Sequence, residues 1–162
     1  MTFTQLPTTR KGAVGEAIAK TIIERSGWLV YESTADVPHL VDFICYKPGK
    51  RLIAVDVKTY PRRYCCENTG IDTRDFEKYS RFEESNDIDV YIIFIDEFER
   101  AIYGGYLRHL GRRAQHDAGK VYFPLSAMRL HRYLTADELD SIRTGTTPAR
   151  YRHTKQFFNN NK

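Results

Sequence analysis

The chain has 162 residues, of which 41% are apolar and 28% charged, and its net charge is +4. That length supports one domain with a proper core, 1–162, rather than two full domains. No apolar run approaches the roughly 18 residues needed to span a bilayer, and MTFTQLPTTRKG lacks the basic-then-apolar layout of a secretory signal. The expected location is the cytoplasm or nucleoid, with no membrane partner.

Residues 1–10 read as a loose arm. From Lys11, KGAVGEAIAKTIIERSG places Val14, Ile18, Ile22 and Ile23 at helical spacing, and Gly27 supplies a stop. WLVYE (28–32) reads as a strand, STADVP (33–38) as a polar connection and LVDFICY (40–46) as a second strand. KPGK (47–50) is a turn leading into a third strand, RLIAVDVKTY (51–60). YPRRYCCENTGIDT (60–73) reads as a long polar and aromatic loop of the kind that carries function.

RDFEKYSRFEESND (74–87) is an amphipathic helix with Phe76, Tyr79 and Phe82 near one face, and Thr73 is its expected cap. DVYIIFID (89–96) has the apolar centre of a strand buried on both sides. AIYGGYL (101–107) and VYF (121–123) are further strands, and 125–129 is a helical turn. TADELDSI (135–142) opens with a capping box, Thr135 to Glu138. The tail, from 144, looks weakly ordered. The order of helix, three-strand meander, helix and strands predicts an α/β sheet core over about 11–107, with a basic C-terminal extension at 108–162.

Three cysteines, two of them adjacent, make neither a disulfide framework nor a zinc motif, so reduced thiols are expected, with Cys45 packed in a strand. Charge is uneven. Residues 1–100 carry 14 basic against 17 acidic residues, and residues 101–162 carry 11 against 4. A basic last third suits a polyanion, and equally an ordinary solubilising surface.

Asp56 and Lys58 stand two apart in an otherwise apolar strand, so they project from one face. If the second and third strands pair across KPGK, Asp42 comes beside Asp56. Glu16 lies on the first helix among Gly12, Ala13, Gly15 and Ala17, which let that helix approach the sheet closely. Neighbouring carboxylates repel and raise each other's pKa; a divalent cation removes the conflict. Mg²⁺, with Mn²⁺ able to substitute, takes one or two carboxylates plus phosphate oxygens, and the Val57 carbonyl can complete its shell. Lys58 would orient the attacking water or stabilise charge building on a phosphate. The plain alternative is an internal Asp56–Lys58 ion pair with Asp42 at a strand end.

KGAVGEA (11–17), VDF (41–43) and DVK (56–58) resemble the PD-(D/E)XK nuclease superfamily, whose pattern is helix Glu, strand Asp, then strand acid-x-Lys. The resemblance is strongest to archaeal-type Holliday-junction resolvases and to phage and restriction-type endonucleases, and it covers about 11–107. Val41 stands before Asp42 where proline is common, and the nearest proline is Pro38. The resemblance implies a restriction-endonuclease-like core and a Mg²⁺-dependent DNA endonuclease. Glu16, Asp42 and Asp56 would hold the metal and Lys58 would be catalytic. A structure-selective junction resolvase is the first expectation, and a sequence-specific homing or restriction-type endonuclease the alternative. A non-catalytic DNA-binding module with the same fold comes third. Cutting two strands implies a homodimer.

Arg10 and Lys11 can touch a phosphate near the site, or simply begin a solvated helix. Arg62, Arg63 and Tyr64 combine charge with aromatic surface, as DNA contact requires. Arg108, Arg112 and Arg113, and Arg150, Arg152 and Lys155 in the tail, are further candidate phosphate contacts. Thr59 can support the site or be a plain strand residue. Asp72 caps the second helix or enters the site, and His39 assists Asp42 or is structural.

Overall fold

The computed structural model of the chain describes residues 7–32, 39–148 and 151. The connection 33–38, the first six residues of the expected arm and most of the tail lie outside them. Helix α1 spans Pro7–Arg25, so Pro7–Arg10 are helical where an arm was expected; proline at a first helical turn has no N–H to lose. Gly27 then takes φ +82°, the left-handed conformation that its stop role requires.

Strands β1 (Leu29–Glu32), β2 (Phe43–Tyr46) and β3 (Ile53–Thr59) form the antiparallel meander read from the sequence. A strand β4 (Asn68–Asp72) follows inside the stretch expected to be loop, and helix α2 (Thr73–Asn86) comes next. Strand β5 (Asp89–Asp96) lies parallel to β3, from Ile53 opposite Asp89 to Thr59 opposite Ile95. Strand β6 (Ala101–Tyr106) runs antiparallel to β5. Four elements come next: helix α3 (Leu107–Gly111), strand β7 (Gln115–Asp117), strand β8 (Lys120–Pro124) and strand β9 (Arg129–Tyr133). They are followed by helix α4 (Ala136–Thr144). A 3₁₀ turn at Leu125–Ala127 sits where a helical turn was expected.

The main sheet has the order β1-β2-β3-β5-β6-β9, and β4-β8-β7 form a second, antiparallel one. Alternation in β3 and β5 divides the core. Ile53, Val55, Val57, Ile93 and Ile95 pack with Val14, Ile18 and Ile23 of α1 and Leu139 and Ile142 of α4. Ala54, Ile92 and Phe94 pack on the other face with Tyr79 of α2, Leu107 and Leu110 of α3, and Ile71, Val121 and Phe123 of the small sheet. The α1 contact is tight: a Cβ at Gly15 would overlap Thr59 Oγ1.

Several elements depart from the sequence reading for identifiable reasons. β4 was hidden because NTGID (68–72) has one large apolar residue, Ile71; its pairing with β8 supplies the stability that its composition does not. The run at Arg108–Arg113 hides a five-residue helix anchored by the buried Leu107 and Leu110. β9, RLHRY, is a polar edge strand. Thr73 begins α2 rather than capping it. Asp72 holds the N-cap position, but its carboxylate makes no cap bond and instead meets Lys120 at 3.1 Å. The capping box forms as read: Glu138 N–H donates to Thr135 Oγ1 (3.3 Å) and Thr135 N–H to Glu138 Oε2 (3.0 Å). Among the described residues no helix is long and apolar enough to cross a membrane.

Candidate active site

Asp56 and Lys58 project from β3 toward α2, as the alternation requires. Lys58 Nζ stands 2.9 Å from Asp56 Oδ2, donates to Tyr79 Oη at 3.2 Å and lies 3.6 Å from Asp75 Oδ2. Asp42 falls one residue before β2, not inside it, but remains tied to β3. Its N–H donates to Val55 O (3.0 Å), and its Oδ2 accepts from Val57 N–H (2.7 Å). His39 Nε2 is 3.8 Å from Asp42 Oδ1.

Glu16 of α1 joins Asp42, Asp56 and Lys58 around one cavity of about 520 Å³, whose wall also includes Asp75, Lys78, Tyr79 and His39. The four residues expected to form a site are therefore brought together. Asp75, Lys78 and Tyr79 were missed. Their signal was present, since Asp75 and Tyr79 stand four apart on one helix face, but Tyr79 reads equally well as part of the apolar stripe.

Burial raises the pKa of both aspartates. For Asp42, Glu16 adds to the rise, while the Val57 N–H, Lys58 and His39 work against it. For Asp56, which is only 5% exposed, Lys58 opposes the rise, Asp42 adds to it and Tyr79 opposes it. Burial pulls the Lys58 ammonium down, but Asp56, Asp75 and Asp42 outweigh it and the net shift is upward. Lys58 is therefore a fixed cation at neutral pH. Burial pushes the Tyr79 hydroxyl up too, with Asp56 next in effect, so it stays protonated.

The donor set can be tested against a divalent cation. Asp56 Oδ2 is buried and makes no aligned hydrogen bond, despite its ion pair with Lys58. A buried carboxylate (Asp56) and a partly buried one (Asp42), both of raised pKa beside one ammonium, are short of positive charge. Both features fit a hard cation held by two carboxylates, with other oxygens completing its shell. Among the described residues no three His, Cys, Asp or Glu side chains stand close enough to share one ion. Glu16 thus shares the cavity without meeting both aspartates at one point. Val57 spends its N–H on Asp42, and its side chain packs in the α1-side core.

The expected DNA contacts are scattered. Lys11 is ion-paired with Glu97. Arg62 is paired with Glu99 and lies 3.9 Å from Asp96. Arg63 meets Asp117 at 2.6 Å and lies over the Tyr122 ring at 4.4 Å. Arg10 and Tyr64 are exposed. Arg108 pairs with Asp89 at 3.2 Å, and Asp89 sits opposite Ile53, the end of β3 away from Lys58. Five residues of strand make that separation roughly 16 Å. Arg112 and Arg113 are exposed, and Arg112 lines one cavity with Arg108. Arg150, Arg152 and Lys155 lie outside the described residues. Thr59 faces Gly15 rather than the cavity, and its buried Oγ1 has no hydrogen-bond partner.

No protein-family model matches the sequence, and no curated protein matches it closely enough to count. Solved structures do. Hjc of Archaeoglobus fulgidus, a Holliday junction resolvase from an archaeal hyperthermophile, superposes with TM-score 0.54 at 12% identity, over 72% of this chain and 86% of that one. A bacterial homing endonuclease, I-Ssp6803I, gives 0.44 at 18% identity, over 70% and 72%. A nuclease from a fusselovirus gives 0.45 at 13% identity, over 84% and 90%. The first of these likenesses establishes the fold: the chain shares the α/β architecture of the Archaeoglobus protein, the kind of core expected from KGAVGEA, VDF and DVK.

Proposed function

We propose that the chain is a divalent-metal-dependent DNA endonuclease that hydrolyses phosphodiester bonds. The observation that carries this is the convergence of Glu16, Asp42, Asp56 and Lys58 on one cavity, from positions up to 42 residues apart in sequence. In this reading Asp42 and Asp56 would hold Mg²⁺ or Mn²⁺, the Val57 carbonyl would add an oxygen, and Glu16 would add negative charge to the same cavity from α1. When bound, the ion supplies Lewis-acid polarisation of a phosphoryl oxygen and lowers the pKa of a water.

The chain's own groups do the rest. Lys58, held protonated by Asp56 and Asp75, sets a positive charge where negative charge builds on the phosphate. Tyr79 Oη accepts from Lys58 and so fixes its ammonium. His39 and Lys78 stand on the cavity wall, where each can meet a substrate phosphate.

A branched substrate is the finer reading, and the likeness to the Archaeoglobus resolvase supports it; cutting two strands would take two copies of the site, hence a homodimer. Supercoiled plasmid, linear duplex and a four-way junction incubated with Mg²⁺ test the proposal. Cutting confined to junctions supports the resolvase reading, and cutting of duplex at one site supports a sequence-specific endonuclease. Failure to cut any of them contradicts both.

A further inference from the structure

Two aromatic side chains stand out in water close to the candidate site. Tyr64 is 105% exposed and Phe98 79%. Both line one open cleft of about 510 Å³, formed by residues 61–67 after β3 and 98–99 after β5, a volume in the range of small-ligand sites. β3 and β5 are parallel, so the cleft lies at the end of the sheet where Asp56 and Lys58 are found. Helix α1 links the two places. Thr8, Thr9 and Gly12 line the catalytic cavity, while Lys11, in the same turn, is ion-paired with Glu97, the neighbour of Phe98.

The aromatic positions are built rather than frayed. The buried Asp96 accepts from Phe98 N–H (2.9 Å) and Glu99 N–H (3.2 Å) through one oxygen, pinning the turn that presents Phe98. Arg100, at φ +56°, closes that turn in the left-handed region. On the other lip, Arg63 N–H donates to Asn68 O (2.9 Å) while its side chain is held by Asp117 and Tyr122. Arg62 is held by Glu99. The residues just before Tyr64 are thus clamped while its ring projects.

The same clamps decide what fits. Arg62 faces Glu99, Asp96 and Glu67, and Arg63 faces Asp117, so the cleft offers no unmatched positive charge beside its flat apolar faces. That chemistry suits a neutral planar ring better than a phosphate.

We infer that the cleft takes an unpaired nucleobase of the DNA substrate, stacked between Tyr64 and Phe98. The inference rests on the nuclease reading and narrows its substrate to DNA with bases free of the helical stack. Stacking on an aromatic side chain is worth about 1–3 kcal/mol per base, which corresponds to about 5- to 150-fold in affinity.

The test is fluorescence of 2-aminopurine, placed either in an unpaired bulge or in a fully paired duplex, titrated with the full chain in EDTA so that no strand is cut. Quenching of the unpaired probe is expected. Tyr64→Ala and Phe98→Ala should each weaken that complex by about 5- to 150-fold while changing paired-duplex affinity less than about twofold. Both side chains are exposed, so the unfolding midpoint should not move. Absence of quenching, unchanged affinity in the variants, or equal losses on both DNAs would overturn the inference. Quenching by a chain that cuts nothing in Mg²⁺ would remove the nuclease reading and leave the base site; cutting without quenching would do the reverse.

Discussion

Asp42→Asn should make the protein more stable and inactive together. The Asp42 carboxyl, held at about 6 instead of its ordinary 3.8, costs the folded chain about 3 kcal/mol at neutral pH, at about 1.4 kcal/mol per pH unit. Asparagine removes the charge and keeps an oxygen to accept from Val57 N–H. Relaxation around Glu16 and Lys58 absorbs part of the gain, leaving about 1–3 kcal/mol. The sign follows from the raised folded-state pKa. The penalty is absent below the unfolded pKa, near 3.9, grows as pH climbs toward 6 and is constant above. Urea unfolding followed through Trp28, the single tryptophan, reads it in EDTA. The variant should exceed the wild type at pH 7.5 and match it near pH 4. Saturating Mg²⁺, at about 100 times its Kd, should stabilise the wild type by about 2.7 kcal/mol and the variant far less, closing the gap. A variant less stable than wild type at pH 7.5, or a gap independent of pH, would refute the reasoning.

Lys58→Met should abolish cleavage and destabilise the fold by about 3–5 kcal/mol at neutral pH, because the buried Asp56 loses its cation; denaturant unfolding near pH 4 should recover most of that loss. Tyr79→Phe removes the hydroxyl that fixes Lys58 and should slow single-turnover cleavage about tenfold, as a lost hydrogen bond to a charge implies, with DNA affinity unchanged. Gly15→Ala should cost about 1–3 kcal/mol in thermal unfolding through overlap with Thr59. Pairing it with Thr59→Ser, which keeps the hydroxyl, should recover little, whereas Thr59→Ala should recover most. Equal recovery by both would show that Oγ1 is not what the new methyl group meets.

The meander, α1, α2 and β5 were legible because their apolar spacing is set by burial on both sides of one sheet. Asp42, Asp56 and Lys58 were legible for the complementary reason: charges inside an apolar pattern need a partner, and strand alternation gives their direction. Tyr79 was not, since its ring obeys the core pattern and only its hydroxyl serves the cavity. β4 and β9 were hidden because hydrogen bonds to β8 and β6 hold them, and pairing leaves little trace in composition. The engagement of Arg62 and Arg63 with Glu99 and Asp117 spans up to 54 residues, a distance over which charge patterning says nothing.

The most direct test of the central claim is Mn²⁺ binding to the full chain, measured by the electron paramagnetic resonance signal of the free ion. One ion per chain at millimolar concentration is expected for the wild type, with that binding lost in Asp42→Asn and Asp56→Asn and retained in Tyr64→Ala. Wild-type binding in either aspartate variant would contradict the account.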